Sequence, residues 1–366
     1  MKIIADQNMP LVKELFDQFG EVYMMPGREI CPDVIADADM LLVRSVTQVD
    51  KSLLEGSSVK FVGSATAGID HIDTQYLAKN NVEFAFAPGC NARAVVQYVL
   101  SSIFNLSTEL QQKTVGIVGC GHVGMRLYQS LQVLGISTRV YDPFLQPKTL
   151  PELCAFNDIL DCDIISLHTP LTIDGPYPTF HMFNTEILDQ LKPHSILINS
   201  SRGGVVDNHA LLTQLSADNN IDVVLDVWEN EPNINTDLLE LVSIATPHIA
   251  GYSDEGKIRG TVMLLEAAQA FYCRAAEVTA ADFNPNNPAK LYLNSPKISD
   301  YLIASYNVAK DDQNFRDMLA SSKLPVAEVF DSLRKNYPQR NEYSSFKIEK
   351  NQPLSDQLVA LGFGVF

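Results

Sequence analysis

The run Thr114-Val-Gly-Ile-Val-Gly-Cys-Gly-His-Val-Gly124 starts as an apolar strand pattern and breaks into three glycines, Gly119, Gly121 and Gly124. Their spacing is typical of a loop that binds the pyrophosphate of a dinucleotide. We expect Gly119 to form a tight turn, Gly121 to let the pyrophosphate approach the backbone, and Gly124 to let a helix pack closely on the strand. An ordinary glycine turn is the alternative, and the flanking sequence helps to decide between the two.

The residues after the glycines complete a β-α-β unit. A helical pattern leads into a second strand that ends at Asp142. His122 and Val123 would begin the helix, and amide groups at a helix start face bound phosphates. Asp142 follows Gly124 at close to the spacing of about 20 residues at which an acid accepts the ribose hydroxyls. A carboxylate there favours NAD because it would repel a 2′-phosphate, whereas a solvated strand-end Asp before Pro143 is the alternative.

Composition and charge limit the classes of partner. The chain has 366 residues, enough for two or three domains, and 46% of them are hydrophobic. The formal net charge of −17 opposes nucleic acid binding, which needs clustered Lys and Arg, and an anionic substrate would need a local basic cluster. The start of the chain resembles no signal peptide and no apolar run reaches the length of a membrane span, so we expect a cytoplasmic protein. The six cysteines form no C-x-x-C pair, so we expect neither a disulfide framework nor a metal site.

Alternating strand and helix patterns predict a first α/β lobe over residues 1–95, completed by residues 257–286. Two of its strands end in small or polar residues that include Arg44, Ser45 and Thr66. Ligands of open parallel sheets bind beyond the carboxyl ends of the strands, so these residues are candidate substrate contacts. Plain turns are the alternative. The lobe's strands are predicted at residues 2–5, 22–24, 40–43, 60–62 and 82–85.

A second, Rossmann-like lobe is predicted over residues 96–256. A helix from Ala92 to about Leu110 has apolar residues on more than one face, so we expect it to be buried between the lobes. A second helix, predicted at residues 256–272, would cross between the lobes again. Further strands of the same sheet are predicted at residues 163–167, 195–199, 223–227 and 243–245.

The sequence after about residue 280 changes in character. A Pro/Asn-rich linker at residues 282–288 precedes a segment with helical patterns at 312–319 and 326–333, a strand pattern at 345–348 and an apolar end. We therefore predict a small α+β domain over residues 287–366. Its apolar strands and terminus suit an interface better than solvent.

Three strand endings in the second lobe carry Arg202, Glu231 and His248. The carboxyl ends of parallel strands meet at one edge of a sheet, so these residues should converge beside the bound nicotinamide. For a 2-hydroxy acid substrate, an arginine would clamp the carboxylate and a histidine would exchange the hydroxyl proton. An acid would hold the imidazole and favour its protonated form. Taken alone, Arg202 could instead form a surface ion pair, Glu231 could be a loop acid and His248 a strand-end histidine. The convergence of three strand ends favours catalysis.

An ordered series of motifs resembles the D-isomer-specific 2-hydroxyacid dehydrogenase family. It covers most of the first 280 residues: Ala67-Gly-Ile-Asp-His-Ile-Asp73, Pro88-Gly-Cys-Asn-Ala92, the glycine loop, His168-Thr-Pro-Leu171, Ser201-Arg-Gly-Gly204, Asp226-Val-Trp-Glu-Asn-Glu-Pro232 and Thr246-Pro-His248. The resemblance implies that NAD is the cofactor and that Arg202, Glu231 and His248 are the catalytic set. It also implies cofactor contacts at Thr169, Ser200, Ser201, Arg202, Asp226 and Gly251, of which Asp226 and Gly251 would line the nicotinamide.

One branch of this family resembles the chain further, in residues 247–261 and in the C-terminal segment of about eighty residues. The resemblance implies oxidation of 4-phospho-D-erythronate on the route to pyridoxal 5′-phosphate, and homodimerisation through that segment. Implied substrate contacts are Ser45, Thr66 and Tyr252, to which we add Arg44 as a candidate phosphate ligand. Arg340, reaching across a dimer, is a further phosphate candidate. Gln97 departs from the acid that many relatives have in the interlobe helix, which would alter lobe closure.

Two alternatives to this function remain open on the sequence. A 3-phosphoglycerate or D-lactate dehydrogenase would share every catalytic residue. An NAD-sensing binding protein such as a corepressor would keep the fold without needing turnover, although the acidic chain has no obvious tail or peptide-binding segment.

Overall fold

The computed structural model describes residues 1–146, 149–217, 220–274, 289–291, 293, 295–350 and 354–366. These residues form two compact units. The first comprises Met1–Asn91 and the described part of Ser253–Asn287, and the second comprises Ala92–Tyr252 and the described part of Pro288–Phe366. The predicted linker at residues 282–288 lies outside the described residues.

The helices and strands follow the alternation that the sequence predicts. The strands are β1 (Lys2–Asp6), β2 (Glu21–Met25), β3 (Met40–Val43), β4 (Phe61–Ser64), β5 (Glu83–Phe86), β6 (Thr114–Val118), β7 (Ser137–Tyr141), β8 (Ile164–Leu167), β9 (Ile196–Asn199), β10 (Asp222–Leu225), β11 (Ile244–Ala245), β12 (Ala289–Lys290), β13 (Phe346–Ile348) and β14 (Gly364–Val365). The α-helices are α1 (Val12–Phe16), α2 (Pro32–Ile35), α3 (Lys51–Leu54), α4 (Thr74–Lys79), α5 (Ala92–Leu106), α6 (His122–Val133), α7 (Phe156–Leu160), α8 (Thr185–Leu188), α9 (Asn208–Ser216), α10 (Thr236–Leu241), α11 (Asp254–Phe271), α12 (Ile298–Ser305), α13 (Val308–Ser321), α14 (Val326–Lys335) and α15 (Ser355–Leu361). No helix in the described part of the chain is long and apolar enough to cross a membrane.

A five-stranded parallel sheet in the order β2-β1-β3-β4-β5 forms the first unit. Successive side chains of a strand point to opposite faces, so Ile3 of β1 packs with α1 and α11 whereas Ile4 packs with α2 and α3. Both faces are therefore covered, as parallel sheets require.

The second unit is built on a six-stranded parallel sheet in the order β11-β10-β9-β8-β6-β7. The strand order reverses between β6 and β8, and in such sheets a ligand crevice opens beyond the carboxyl ends of the strands at this point. Gly119 follows β6 and His168 follows β8 at that edge. The sequence prediction of α/β lobes with parallel sheets is confirmed.

Helix α5 is buried on almost every side, including the polar residues Gln97, Ser101 and Ser102. Ser101 stays buried because its hydroxyl donates to the Tyr306 carbonyl (3.0 Å) and accepts from the Val308 amide (2.9 Å). The helix ends at Leu106 rather than near Leu110. Its predicted place between lobes remains a prediction.

The C-terminal residues pack into the core of the second unit. Tyr301 and Leu302 of α12, Ile348 of β13 and Leu358 of α15 share one hydrophobic cluster with α5, α6 and one face of the six-stranded sheet. Strands β12, β13 and β14 form a small parallel sheet of their own. The three-domain division stays a prediction, because the two compact units group these residues with the six-stranded sheet.

Candidate active site

The glycine loop has the geometry that its spacing predicts. Gly119 has a φ of +86°, in the left-handed region that glycine adopts without strain. A Cβ on Gly124 would lie 2.0 Å from the Gly119 carbonyl oxygen, so only glycine lets α6 pack this closely. A Cβ on Gly121 would meet no atom within 4 Å, so the loop is open on that side. Helix α6 begins at His122 with no side-chain cap, and its first amide groups remain available to an anion.

A cavity of about 440 Å³ lies against this loop. Asp142 lines it, and the carboxylate is fixed because Oδ2 accepts from the Cys120 amide (2.8 Å) and Oδ1 from the Phe144 amide (3.0 Å). Each carboxylate oxygen has a second lone pair for a ribose hydroxyl. Thr169, which also lines the cavity, has a buried hydroxyl with no hydrogen-bond partner among the described residues. An open glycine loop, a fixed acid and an unsatisfied hydroxyl fit a dinucleotide.

The loop after β9 is held by Asn199. The side-chain amide of Asn199 donates through Nδ2 to the Arg202 carbonyl (2.9 Å). Its Oδ1 accepts from both the backbone amide and the hydroxyl of Ser201 (3.1 and 2.8 Å). A Cβ on Gly203 would lie 1.9 Å from the Trp228 carbonyl oxygen, so this loop lies directly against the one that carries Glu231. The Arg202 guanidinium donates to the Ser201 carbonyl (2.8 Å) and is half-buried. The sequence analysis did not identify Asn199 as a residue that holds this loop. The available signal was a polar residue at the end of a buried strand.

Glu231 and His248 form the predicted pair. Glu231 Oε2 accepts from His248 Nδ1 at 2.7 Å, while Oε1 accepts from the Trp228 amide at 2.7 Å. Burial of the Glu231 carboxyl opposes ionisation, but the charge and hydrogen bond of His248, the Trp228 amide and the charge of Arg334 hold its pKa below its ordinary value. The carboxylate fixes one imidazole nitrogen, so Nε2 is the nitrogen available for proton exchange.

Replacing Glu231 with Gln is expected to lower the free energy of unfolding at neutral pH by about 1–3 kcal/mol, because a charge-assisted hydrogen bond in a mostly buried pair is lost. A lowered carboxyl pKa stabilises the folded protein above the ordinary value of 4.5, and this stabilisation is lost as the pH falls through the folded-state pKa. The difference between wild type and Glu231→Gln should therefore shrink in acid, as measured by thermal unfolding across a pH series. Glu240→Gln, at an exposed position of α10, is the matched control, and a pH-independent difference would contradict the expectation.

Asp226 holds the turn that carries His248. Its Oδ1 accepts from the Thr246 hydroxyl (2.7 Å) and the Ile249 amide (2.7 Å), and its Oδ2 accepts from the Ala250 amide (3.0 Å). The His248 amide donates to the Asp226 carbonyl (2.7 Å), and His248 has a φ of +56°, which is uncommon for a residue other than glycine. Burial raises the pKa of Asp226, against these hydrogen bonds and the charge of His248. Asp226 thus positions His248, and its predicted contact with the nicotinamide stays a prediction.

The remaining cofactor candidates also lie in the second unit. Ser200 has a buried hydroxyl with no partner among the described residues, and Ser201 is buried. Val123 packs against the core from the first turn of α6. Gly251 is half-buried just after the turn held by Asp226. Their contacts with the cofactor are predictions.

Three substrate candidates lie at one edge of the first sheet. Arg44 and Ser45 follow β3, and Thr66 lies just beyond the end of the adjacent strand β4. Thr66 is half-buried, and its hydroxyl bonds to the Ser64 hydroxyl and to the Gly68 carbonyl, both at 2.7 Å. Ser45 is exposed. The fourth candidate, Tyr252, belongs to the second unit and is the last residue of its Ala92–Tyr252 segment.

Arg340 has a structural role that the sequence did not indicate. Its guanidinium is buried, stacks at 3.5 Å on the Tyr306 ring, and donates to the carbonyls of Ala94 (2.6 Å) and Ala250 (3.2 Å). Gln97 joins this group, since its Oε1 accepts from Arg340 (3.4 Å) and its amide donates to the carbonyl of the residue that follows Arg340 (3.3 Å). The Nη1 and Nη2 groups of Arg340 are engaged within its own chain, whereas its buried Nε has no partner among the described residues, and a contact of Arg340 across a dimer stays a prediction.

A further group of polar side chains comprises His181, Asp207 and Glu229. Their ligand atoms lie within 4.8 Å of one another, a spacing that metal ligands also show. His181 bonds to Glu229 at 2.7 Å, and Glu229 also accepts from the Asn208 amide at the start of α9 (2.9 Å). These hydrogen bonds link the loops that carry the three residues, so the group has a structural role without a metal. The expectation that the chain binds no metal stays a prediction.

Comparison with known proteins identifies the family. Residues 94–250 match the family described as D-isomer specific 2-hydroxyacid dehydrogenase, NAD binding domain, and residues 287–362 match a domain of unknown function. An erythronate-4-phosphate dehydrogenase of Saccharophagus degradans is 45% identical and covers 100% of this chain and 99% of its own length. The chain belongs to this dehydrogenase family. It is an NAD-dependent oxidoreductase with a Rossmann-like NAD-binding domain.

Two further relatives agree with this assignment. An erythronate-4-phosphate dehydrogenase of Teredinibacter turnerae is 43% identical over 100% of this chain and 99% of its own. The crystal structure of the NAD-bound 3-phosphoglycerate dehydrogenase of Entamoeba histolytica matches with a TM-score of 0.65 and 26% identity, over 76% of this chain and 98% of that one.

Proposed function

We propose that the chain oxidises 4-phospho-D-erythronate at C2 to (R)-3-hydroxy-2-oxo-4-phosphobutanoate. The observation that carries this proposal is the 2.7 Å pair of His248 and Glu231, which lies with Arg202 at the carboxyl edge of the NAD-binding sheet. The full-length similarity to erythronate-4-phosphate dehydrogenases supports the choice of acid. We further propose that the reaction serves pyridoxal 5′-phosphate biosynthesis in the cytoplasm.

The chemistry assigns one role to each of the three residues. His248 Nε2 takes the proton of the C2 hydroxyl as the C2 hydride departs, so C2 becomes a carbonyl. Bound NAD would supply the hydride acceptor. Glu231 holds the imidazole by Nδ1 and favours the imidazolium that forms. Arg202 binds the substrate carboxylate through its planar fork and stabilises the charge that develops on the C2 oxygen.

The cofactor would lie across the glycine loop. Gly119, Gly121 and the first amide groups of α6 would bind the pyrophosphate, and Asp142 would accept the ribose hydroxyls. Thr169, Ser200 and Ser201 offer hydroxyl groups to the cofactor. Arg44, Ser45, Thr66 and Tyr252 are proposed to contact the substrate.

The proposed architecture assigns residues 1–95 and 257–286 to a substrate-binding domain, 96–256 to the NAD-binding domain and 287–366 to a dimerisation domain. The exposed apolar residues Val359, Val365 and Phe366 support an interface in the last of these. A homodimer is therefore proposed, with sedimentation equilibrium as its test.

A substrate panel tests the proposed function. Initial rates of NADH formation are measured at saturating NAD with 4-phosphoerythronate, 3-phosphoglycerate and D-lactate. We expect the highest kcat/KM with 4-phosphoerythronate. A preference for either other acid would assign the chain to another 2-hydroxyacid dehydrogenase activity, and no turnover with any of them would favour an NAD-sensing binding protein.

A further inference from the structure

Helix α14 brings a guanidinium to the candidate active site. Arg334, near the end of α14, lies with its guanidinium carbon 5.9 Å from the centre of the Tyr252 ring, and the two side chains also share a hydrogen bond. Its charge acts on Glu231, the residue that holds His248, and on Asp226, which positions the His248 turn. All of these residues belong to the second unit. A side chain from the C-terminal segment is thus part of the surroundings of the catalytic pair.

The contacts of Arg334 differ from those of arginines that serve the fold. Arg316, in the neighbouring helix α13, donates to the Asp312 carboxylate (2.8 Å) and to the carbonyls of Leu239 (2.8 Å) and Val242 (2.9 Å). Arg340 likewise donates to backbone carbonyls. Arg334 makes no such bond to a carbonyl within the described residues, and this distinguishes it from both. Its buried Nε has no hydrogen-bond partner there, a property that it shares with the Nε of Arg340. Its donors therefore exceed the acceptors that the described part of the chain provides.

The negative charges of the substrate indicate what the hydrogen-bond donors of Arg334 would bind. A phosphorylated 2-hydroxy acid carries two anionic groups, and this chain has a net charge of −17, so each group needs a local cation. Arg202 is assigned to the carboxylate. A second guanidinium beside a tyrosine hydroxyl offers the set of N–H and O–H donors that a phosphate prefers.

We propose that Arg334, held by Tyr252, binds the phosphate of the substrate and makes the enzyme specific for phosphorylated 2-hydroxy acids. This inference rests on the proposed function. It gives the C-terminal segment a role in substrate recognition within its own subunit, in addition to any role in dimerisation.

The test compares Arg334→Met with Lys335→Met, which removes the same charge from the next, exposed position of α14. Steady-state kcat/KM is measured with 4-phospho-D-erythronate and with unphosphorylated D-erythronate. We expect Arg334→Met to lower the ratio of the two values by about 10- to 100-fold, the range for a lost hydrogen bond to a charged group. Lys335→Met should keep the wild-type ratio. Arg334→Lys should lower the ratio less than Arg334→Met, because lysine keeps the charge without the planar fork.

The outcomes separate this inference from the proposed function. Equal losses of kcat/KM with both acids would show that Arg334 acts only through Tyr252 or Glu231, and unchanged kcat/KM values with both acids would show that Arg334 has no role in the reaction. Either result overturns the inference while leaving the proposed function intact. A wild-type enzyme that prefers an acid other than 4-phosphoerythronate would contradict the proposed function itself. Arg334→Lys preserves the charge near Glu231 and Asp226, so it supplies the answer if Arg334→Met does not fold.

Discussion

Replacing His248 with Asn is expected to lower kcat by about 10²–10⁴-fold, the usual contribution of a positioned general base. Asparagine is chosen because it tolerates the positive φ of this position better than alanine does, so the backbone turn is retained. The variant keeps the glycine loop and Asp142, so its Kd for NAD should stay close to that of the wild type. Steady-state rates of NADH formation measure kcat, and displacement of fluorescent NADH by NAD measures the Kd of each.

The matched control for this variant is His209→Asn, because His209 is an exposed histidine on α9. It should retain wild-type kcat. Near-wild-type turnover by the His248 variant would remove His248 from the mechanism. A parallel loss of NADH affinity would instead indicate that the change had disturbed the cofactor site.

Replacing Arg202 with Leu is expected to lower kcat/KM for the 2-hydroxy acid by about 10³-fold, comparable to the loss of a donor to a developing oxyanion. The Arg202 guanidinium donates to the neighbouring Ser201 carbonyl, whereas the loop itself is held by Asn199 and by the close approach of Gly203 to Trp228. The fold should therefore persist. Steady-state kinetics with both substrates varied, together with a thermal unfolding curve, measure the effect.

Arg202→Lys separates charge from geometry. Lysine keeps the positive charge but lacks the planar fork that binds a carboxylate through two parallel bonds, so an intermediate loss is expected. Full activity in the lysine variant would show that a point charge suffices. An effect confined to the KM for NAD would assign Arg202 to the cofactor rather than to the carboxylate.

Local patterns predicted the parts of the site that lie in continuous sequence. A few neighbouring residues are enough to recognise the glycine spacing, the acid that follows β7 and the polar strand endings. The parallel topology then brings those endings to one edge of the sheet. The α/β fold and NAD as cofactor are confirmed. The roles of Arg202, Glu231 and His248 remain predictions that the geometry supports.

Tertiary contacts account for what the sequence did not show. Arg334 is far from Tyr252 along the chain, and only the packing of α14 brings the two together. Asp226 matched a cofactor motif, but its side-chain bonds to the turn after β11 depend on where that turn folds back. Helix α12 was missed, because its burial comes from contact with α5 rather than from a clear period of its own. Helix α5 was predicted too long: it ends at Leu106, and the residues near Leu110 form a separate turn after Glu109, which has a positive φ.

The shared core of the second unit also sets an order of events during protein synthesis. Tyr301, Ile348 and Leu358 belong to the same hydrophobic cluster as α5 and α6, with α12 packed on α5 and α15 packed on α6. The ribosome releases the N-terminal part of a chain first, so the surfaces of α5 and α6 lack these partners until the residues of α15 have emerged. The core of the first unit is complete once α11 has emerged, whereas the core of the second unit is completed only by the far end of the chain. A chain truncated after α11 would therefore leave this apolar surface exposed, and we expect it to be prone to aggregation.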